Sequence, residues 1–273
     1  MSEIRPFKIN VPDYQIHDLK KRLKDTRWPE SATMNGWEQG VPLDYAMDLI
    51  NYWQADYDWK ECEFILNKLP QFSTLIDEQE IVFIHKKSQC KRARPLILTH
   101  GWPGSVIEFI KIIDHLVNPI QNGGSENDAF NLVIPTVPGF GFAEKPSRRG
   151  WGVEKVAKAW TTLMKRLGYD SYYAQGGDWG SAITTQIGIS EVDFCKGLHL
   201  NMPLVHPSES IKTDMTEFEL KCMEAIDYYK ISDSGYSKIQ STKPQTIGYG
   251  LVYSPVALAT WIIDKFWQWT DCK

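Results

Sequence analysis

The sequence predicts an α/β fold, a mostly parallel sheet with helices on both faces, and three observations lead to it. First, short and continuously apolar runs occur between residues 76 and 201, which is typical of strands buried on both faces. Second, segments with apolar residues at helical spacing separate these runs, and such alternation predicts parallel strands. Third, 42% of the 273 residues are hydrophobic, which is enough for a packed core.

Three helices are predicted before the main series of strands, at residues 11–28, 43–55 and 60–69. The first begins with Asp13 as N-cap, directly after Pro12, and Pro29 ends it. The third is expected to turn three apolar side chains inward, those of Phe64, Ile65 and Leu69. Because these helices come before the predicted strands, they are expected to form an extension that packs on the later core.

Strands and helices then alternate along the chain. Strands are predicted at residues 80–86, 95–99, 131–135 and 171–175. Helices are predicted at residues 106–117, 153–167 and 181–189, and further on at 217–229 and 255–269. Gly168 follows the second of these helices, where a helix-ending glycine belongs. Ligands bind outside the carboxyl ends of the strands in such sheets, and each motif described next falls at a strand end.

Composition and charge argue against several classes of function. The net charge is -4 and no block of Lys or Arg occurs, so nucleic acid and anionic membranes are poor candidate partners. The five cysteines are odd in number and form no Cys-x-x-Cys pair, which argues against a disulfide framework or a zinc site. No segment approaches the roughly 18 apolar residues of a membrane span or resembles a signal peptide, so a soluble intracellular protein is expected. The 11 Trp and 12 Tyr fit either a large core or a pocket for apolar small molecules.

The run GGDWG at residues 176–180 joins a predicted strand to a predicted helix, as a nucleophile elbow does. Small residues on either side let the chain turn tightly, so the side chain of Asp178 projects from the top of the sheet. The N-terminus of the following helix favours negative charge at that place. The alternative is a turn in which Asp178 caps the helix. The strand before it and the helix after it favour the nucleophile.

An aspartate in this position, rather than a serine, narrows the chemistry. Serine attack on an alkyl carbon would leave a stable ether, whereas a carboxylate forms an ester that water can cleave at its carbonyl. An aspartate is ionised near neutral pH and needs no base for the first step. The electrophile is therefore expected to be an epoxide or an alkyl halide.

A second motif, HGWPGS at residues 100–105, follows the predicted strand 95–99. Its loop can aim backbone N–H groups into the site, and those of Trp102 and Trp179 are predicted to form an oxyanion hole. The histidine invites assignment as the catalytic base, but a histidine beside such a loop is more often hydrogen-bonded to it. The residues expected to support the loop are His100, Gly101 and Pro103.

The two motifs resemble those of the α/β-hydrolase epoxide hydrolases. Stretches similar to the N-terminal epoxide hydrolase domain are TRWP at 26–29, YW at 52–53 and DW at 58–59. PGFGFA at 138–143 resembles the loop after the third core strand. Stretches similar to the cap of the microsomal and juvenile-hormone epoxide hydrolases are SGY at 234–236, residues 240–244 and SPV at 254–256. The resemblance implies an N-terminal helical extension (1–75), an α/β-hydrolase core (76–205) and a partial helical cap (206–273).

The resemblance also implies an activity, the hydrolysis of a hydrophobic epoxide to a vicinal diol through an alkyl-enzyme ester on Asp178. It identifies Tyr236 as one of two cap tyrosines that hydrogen-bond the epoxide oxygen and protonate it, with a packed cap aromatic as the alternative. Trp102 and Trp179 would supply the oxyanion N–H groups. The implied partners are an epoxide and water, and no metal or organic cofactor is implied.

The sequence departs from the family pattern toward its C-terminus. In the family, the second cap tyrosine, an orienting acid and the water-activating histidine lie beyond the position of residue 273. The segment around the family's catalytic histidine has no counterpart around the other histidines of this sequence, which are His17, His85, His115, His199 and His206. We therefore expect the C-terminal part of the core to be missing and a sheet edge to be uncovered. We also expect poor stability, and an ester on Asp178 that is hydrolysed slowly.

Two other functions stay open at this point. Haloalkane dehalogenases share the fold, the Asp nucleophile and the Trp after it, but Tyr236 and the N-terminal extension favour an epoxide. A non-catalytic ligand-binding protein on a hydrolase scaffold is the second alternative, which the missing catalytic residues favour and the intact elbow disfavours. The expected location is the cytosol, with peripheral association with the endoplasmic reticulum as the alternative.

Overall fold

The computed structural model describes residues 3–205 and 215–272. His206 therefore lies outside the described residues. Two compact units make up the described part of the chain. The sheet unit comprises residues 3–10 and 60–204, and the helical unit comprises the rest. These units are groups of residues in mutual contact, whereas the three predicted domains follow the sequence alone, so the predicted boundaries stay a prediction.

The sheet unit is built on a sheet that has seven strands within the described residues. They are β1 (Arg5–Pro6), β2 (Gln71–Ile76), β3 (Gln79–Lys86), β4 (Arg94–Thr99), β5 (Phe130–Pro135), β6 (Tyr172–Gly176) and β7 (Cys195–Leu200). Their order across the sheet is β1-β2-β3-β5-β4-β6-β7. Neighbours from β5 to β7 are parallel, whereas β1 and β3 are each antiparallel to β2, and β3 is antiparallel to β5. The α/β class is confirmed, and the sheet is mixed, with a parallel centre.

Three of these strands were not predicted. Strand β1 pairs over only two residues, Arg5 and Pro6, which is too short for a periodic signal. Strand β2 carries the polar pair Ser73 and Thr74 in its buried middle, so its apolar pattern is broken. Strand β7 is the last strand of the described sheet, and all six of its residues are exposed or half-buried. Each of the three lacks the continuous apolar run that identifies the central strands.

Helices cover both faces of the sheet, as predicted. They are α3 (Trp59–Asn67, in the sheet unit from residue 60), α4 (Ile110–Val117), α5 (Val153–Arg166) and α6 (Trp179–Ser190). Because successive strand side chains point to opposite faces, Ile97 packs in one cluster with Trp160 of α5 and Ile183 of α6. Its neighbour Leu98 packs in a second cluster with Ile113 of α4. The apolar strand residues therefore serve two cores, one on each side of the sheet.

The predicted inward face of α3 is wrong for two residues. Phe64 is 63% exposed and Ile65 is 44% exposed, whereas Glu63 and Leu66 are buried. The buried residues stand three apart, so they share one face of the helix. Glu63 is tolerated there because its carboxylate pairs with Lys60 Nζ at 3.2 Å. Leu69, the third residue predicted to face inward, is partly buried against the α4 core.

The helical unit contains helices from both ends of the sequence. They are α1 (Asp13–Lys24), α2 (Leu43–Ala55), α7 (Glu217–Tyr228), α8 (Gly235–Thr242), α9 (Pro244–Tyr253) and α10 (Pro255–Trp269), with a π-helical turn at Tyr229–Asp233. The bounds of α2 and α10 agree with the prediction. Helix α1 ends at Lys24 rather than at residue 28, and its N-cap is Pro12, so the predicted capping role of Asp13 is wrong. Helices α8 and α9 were missed because Pro, Gly and polar residues interrupt their pattern.

The described helices were also compared with the length and apolar character that a membrane crossing requires. No single helix in the described ranges meets both requirements. Helices α9 and α10 meet them only when taken together, and they are bent by 116° relative to each other.

Candidate active site

Asp178 stands at the junction of β6 and α6 in an unusual backbone conformation. Its φ is 54° and its ψ is -125°. Such a conformation costs a residue with a side chain about 1–3 kcal/mol and is found mainly at functional turns. Asp178 occupies the N-cap position of α6, but its side chain makes no capping hydrogen bond. Its Oδ1 instead accepts a hydrogen bond from the backbone N–H of Trp102 at 2.8 Å.

Two glycines allow the start of α6 to lie directly against the sheet. A Cβ on Gly180 would stand 2.6 Å from the carbonyl carbon of Thr99 and 2.9 Å from the carbonyl oxygen of His100. A Cβ on Gly176 would stand 2.6 Å from Thr184 Oγ1 and would overlap the backbone of Gly180. The ends of β4 and β6 and the first turn of α6 are thus in backbone contact, which brings the two sequence motifs together.

The loop at residues 100–105 is shaped around the Asp178 carboxylate. A Cβ on Gly101 would stand 2.7 Å from Asp178 Cγ and would overlap its Oδ1 and Cβ. The missing side chain at Gly101 therefore makes the room that the carboxylate occupies. The loop leaves β4 through the cis peptide Trp102–Pro103 and enters a 3₁₀ helix, Val106–Phe109, whose N-cap Ser105 accepts a hydrogen bond from Ile107 N at 3.3 Å.

His100 is completely buried beneath this loop, and both of its ring nitrogens bond to the backbone. Nε2 accepts from the N–H of Val137 at 3.1 Å, so the proton of the neutral ring is on Nδ1, which donates to the Gly101 carbonyl at 3.1 Å. Burial lowers the pKa of His100, although the Gly101 hydrogen bond and the Asp178 charge act in the opposite direction. A neutral ring with no unoccupied acceptor nitrogen cannot take a proton from water.

Trp179 is the first residue of α6, and its side chain is 55% exposed. Its backbone N–H belongs to the first turn, where no carbonyl of the helix can accept it. The N–H of Trp102 already donates to the carboxylate of Asp178. Both predicted oxyanion donors therefore lie beside Asp178: Trp179 follows it in the chain, and the N–H of Trp102 contacts its carboxylate. The helix N-terminus adds a favourable field for negative charge.

Glu108 is a feature of this site that sequence reasoning missed. Its carboxylate occupies the space that a side chain at Gly104 would fill. Burial raises the pKa of Glu108, the negative charge of Asp178 raises it further, and backbone N–H groups of Ser105 and Gly101 act in the opposite direction. A second carboxyl group therefore shares the electrostatic environment of Asp178. The sequence contained one signal for this contact, since Glu108 follows Gly104 of the HGWPGS loop by four positions.

The remaining histidines of the sheet unit do not form part of this arrangement. His85 Nε2 is hydrogen-bonded to Tyr169 OH at 2.9 Å, while His115 and His199 are exposed. In the described ranges, no group of three or more His, Cys, Asp and Glu side chains is arranged to hold a metal ion.

Tyr236 lies in the helical unit, in the first turn of α8. Its OH is 3.2 Å from the OH of Tyr229, and its ring packs edge-on against Trp269 with centroids 5.3 Å apart. Lys265 Nζ lies 5.1 Å from the centroid of the Tyr236 ring. Tyr236 also lines a cleft of about 1120 Å³ within this unit, together with Trp28 and other residues. A half-buried phenol beside a cavity can reach a ligand that enters it.

Comparison with known proteins gives consistent matches along the chain. Residues 4–109 match the family described as "Epoxide hydrolase N terminus", and residues 94–221 match the family described as "alpha/beta hydrolase fold". A protein of Stigmatella aurantiaca whose name places it among the epoxide hydrolases is 46% identical over 270 residues, which are 99% of this chain and 61% of that protein. The chain spans about three fifths of the length of the curated relatives it matches.

Two solved structures match the described fold. The epoxide hydrolase of Aspergillus niger is 31% identical with a TM-score of 0.88, covering 98% of this chain and 70% of that one. The juvenile hormone epoxide hydrolase of the silkworm Bombyx mori is 32% identical with a TM-score of 0.89, covering 99% and 67%. Identity of this level over two thirds of each relative shows common descent as well as a common fold. The chain therefore belongs to the epoxide hydrolase family of the α/β-hydrolase fold.

Proposed function

We propose that this chain carries the epoxide-opening half of an epoxide hydrolase site, with Asp178 as the nucleophile. The observation that carries the proposal is the carboxylate at a strained elbow, in contact with a backbone N–H donor. Relatives of this chain are named epoxide hydrolases, and their substrate class is carried over on that basis. The substrate is expected to be a hydrophobic epoxide.

In the proposed first step, the two oxygens of Asp178 have different tasks. Oδ1 accepts the Trp102 N–H, so Oδ2 attacks a ring carbon of the epoxide and forms an ester bond. The carbon–oxygen bond of the ring breaks, and its electron pair goes to the former epoxide oxygen. That oxygen takes a proton from the phenol of Tyr236. The role of Tyr236 rests on sequence resemblance.

In the proposed second step, water attacks the ester carbonyl carbon of Asp178. The carbonyl oxygen becomes an oxyanion, and the N–H groups of Trp102 and Trp179 stabilise it. Collapse of this intermediate breaks the bond between the carbonyl carbon of Asp178 and the ester oxygen, and the oxygen of the water stays in the carboxylate. One proton of the water goes to the departing alkoxide, which gives the vicinal diol, and the other returns to the Tyr236 phenolate. His100, Gly101 and Pro103 hold the loop that presents the Trp102 N–H.

The second step needs a base to activate water, and His100 is not suited to that task. Both of its ring nitrogens are bonded to the backbone. General base catalysis contributes about 10²–10⁴-fold to a rate. Because His100 is not available as the base, we expect the chain to form the ester and to hydrolyse it slowly, so the alkylated protein accumulates.

Intact-mass measurement after incubation with styrene oxide tests the proposal. The parent chain should gain the mass of one epoxide, and peptide mapping should place it on Asp178. Asp178→Asn should abolish the labelling, whereas Asp170→Asn, a change at an exposed aspartate, should label at the parent rate. Rapid multiple turnover by the parent chain would contradict the expected accumulation.

The same assay distinguishes the competing functions. A bromoalkane that labels Asp178 much faster than styrene oxide would favour a dehalogenase-like site. Binding of the epoxide without any covalent product would favour a non-catalytic scaffold.

The cytosolic location stays a prediction, with peripheral attachment to the endoplasmic reticulum as its alternative, and fractionation of cells expressing the chain would test it.

A further inference from the structure

We infer that Lys265 is a positioning residue for the Tyr236 phenol, which it holds through a buried ion pair with Asp233 and through direct contact with the ring. The inference rests on the proposed function, in which Tyr236 protonates the epoxide oxygen. It assigns a role to a buried charge cluster of the helical unit that the reaction steps above do not use.

The cluster is formed by one cation and two carboxylates. Lys265 Nζ pairs with Asp233 Oδ1, and it pairs with Asp264 Oδ2 at 2.6 Å. The side chains of Lys265 and Asp233 are each only 7% exposed. Burial disfavours the charged ammonium, but the two carboxylates outweigh that effect and raise the pKa of Lys265. The amine therefore stays charged inside the unit.

Asp233 is held from a second side by the same helix. Its other oxygen, Oδ2, accepts a hydrogen bond from Trp269 Nε1 at 2.7 Å. Helix α10 thus contributes two donors, one turn apart, to a single carboxylate. Both oxygens of Asp233 are satisfied, as a buried carboxylate requires.

This anchoring acts directly on the segment that carries Tyr236. Asp233 is the last residue of the π-helical turn, and α8 begins two residues later. The ion pair therefore fixes the entry into α8, whose second residue is Tyr236. Helix α10 also contacts the ring itself, since Lys265 Nζ lies 5.1 Å from its centroid and Trp269 packs against its edge. π-helical turns are rare and often lie at functional sites.

Stability alone is a weak explanation for such a cluster. Removing two charges from water is costly, and apolar residues of similar size often stabilise a protein as well or better. In some proteins a buried polar or ionic group fixes one geometry, and we infer that role for this cluster. The four residues Asp233, Tyr236, Asp264 and Lys265 all line the same cleft, so the geometry they specify faces a space open to a ligand.

The test uses two alkylating probes that differ in their need for an acid. Styrene oxide requires protonation of the leaving oxygen, whereas 1-bromobutane releases bromide without a proton. The measured quantity is the ratio of the Asp178 labelling rates for the two probes, determined by intact mass. Lys265→Met should lower the epoxide-to-bromide ratio about ten-fold, since small misplacements of catalytic groups have large effects on rate. Tyr236→Phe should lower it at least as much.

Matched variants separate positioning from general damage. Lys265→Arg keeps the charge and should restore most of the ratio. Lys230→Met removes an exposed lysine, whose nearest carboxylate oxygen on Asp227 is 3.6 Å away, and should leave the ratio unchanged. If Lys265→Met does not fold, Trp269→Phe decides, because it removes the second donor to Asp233 but keeps an aromatic ring beside Tyr236, and it should lower the ratio a few-fold.

The possible outcomes are distinct. An unchanged ratio in Lys265→Met, or an equal loss of both labelling rates, would overturn the inference and leave a purely structural ion pair. A selective loss with epoxide that Arg rescues would support it. Absence of labelling of the parent chain by either probe would instead refute the proposed function of Asp178.

Discussion

Asp178 leaves no space for a side chain at position 101, so the substitution of Gly101 by alanine is the sharpest test of the site geometry. The added carbon would stand 2.7 Å from Asp178 Cγ. Carbon atoms in contact are about 3.5–4.0 Å apart, and Asp178 Cβ and Oδ1 would be nearer still, so the two groups must separate by at least about 1 Å. The backbone of Gly101 lies outside the left-handed region, so alanine fits its conformation. Because Asp178 Cβ is fixed to the backbone, a turn of the side chain alone does not relieve the overlap, and the change should displace the whole Asp178 residue relative to the loop.

The displacement has a predictable effect on labelling. It lengthens the 2.8 Å hydrogen bond from Trp102 N to Asp178 Oδ1 and turns the carboxylate away from its attacking position. A misplacement of about 1 Å can cost about 10²-fold in rate. We expect Gly101→Ala to slow labelling of Asp178 by styrene oxide by about that factor, measured by intact mass against time.

Gly104→Ala is the matched control in the same loop. The three atoms nearest to a side chain at position 104 all belong to the side chain of Glu108, which can swing away. This variant should label within a few-fold of the parent rate. Equal labelling of Gly101→Ala and the parent, with both proteins folded by circular dichroism, would refute the idea that Gly101 makes room for the nucleophile.

Two further predictions concern stability. Burial, and then the positive charge of Lys87, lowers the pKa of His85 to about 4. An unfolded histidine has a pKa near 6.5, so between about pH 6.5 and pH 4 the unfolded state binds more protons than the folded state. The free energy of unfolding therefore decreases as the pH is lowered through this window, by roughly 1–2 kcal/mol after allowance for the partial exposure of His85. His85→Gln should remove this part of the pH dependence in urea unfolding, and identical pH profiles would contradict it. Leu163 is fully buried among the residues that pack on α5 and α6, so Leu163→Ala should cost about 2–5 kcal/mol. The exposed Leu75 is its control, and a loss at Leu163 as small as that of Leu75→Ala would contradict the assignment of this core.

The structure changes how the HGWPGS loop is understood. From the sequence, the loop was expected to supply N–H groups to an oxyanion hole. In the structure, its Trp102 N–H donates to Asp178 itself, and its glycine provides the space for the carboxylate. The N–H that would stabilise the oxyanion in the proposed second step therefore also fixes the orientation of the Asp178 carboxylate, the proposed nucleophile.

The local chemistry of this chain could be predicted from its sequence. The central strands 95–99 and 131–135 are short apolar runs, and the turn at Asp178 requires small neighbours at fixed positions. These signals act between residues close in the chain, so a local pattern reveals them. The proposed nucleophile, and with it the proposed class of electrophile, rests on one residue type at one turn.

Only the tertiary structure decided which distant groups meet. The contact between Trp102 and Asp178 joins residues 76 positions apart, and the ion pair between Asp233 and Lys265 joins residues 32 positions apart. Neither contact leaves a periodic trace in the sequence, because it depends on how strands and helices pack. The same holds for the edge strand β7 and the exposed face of α3, where packing determines burial and hydrophobicity alone does not.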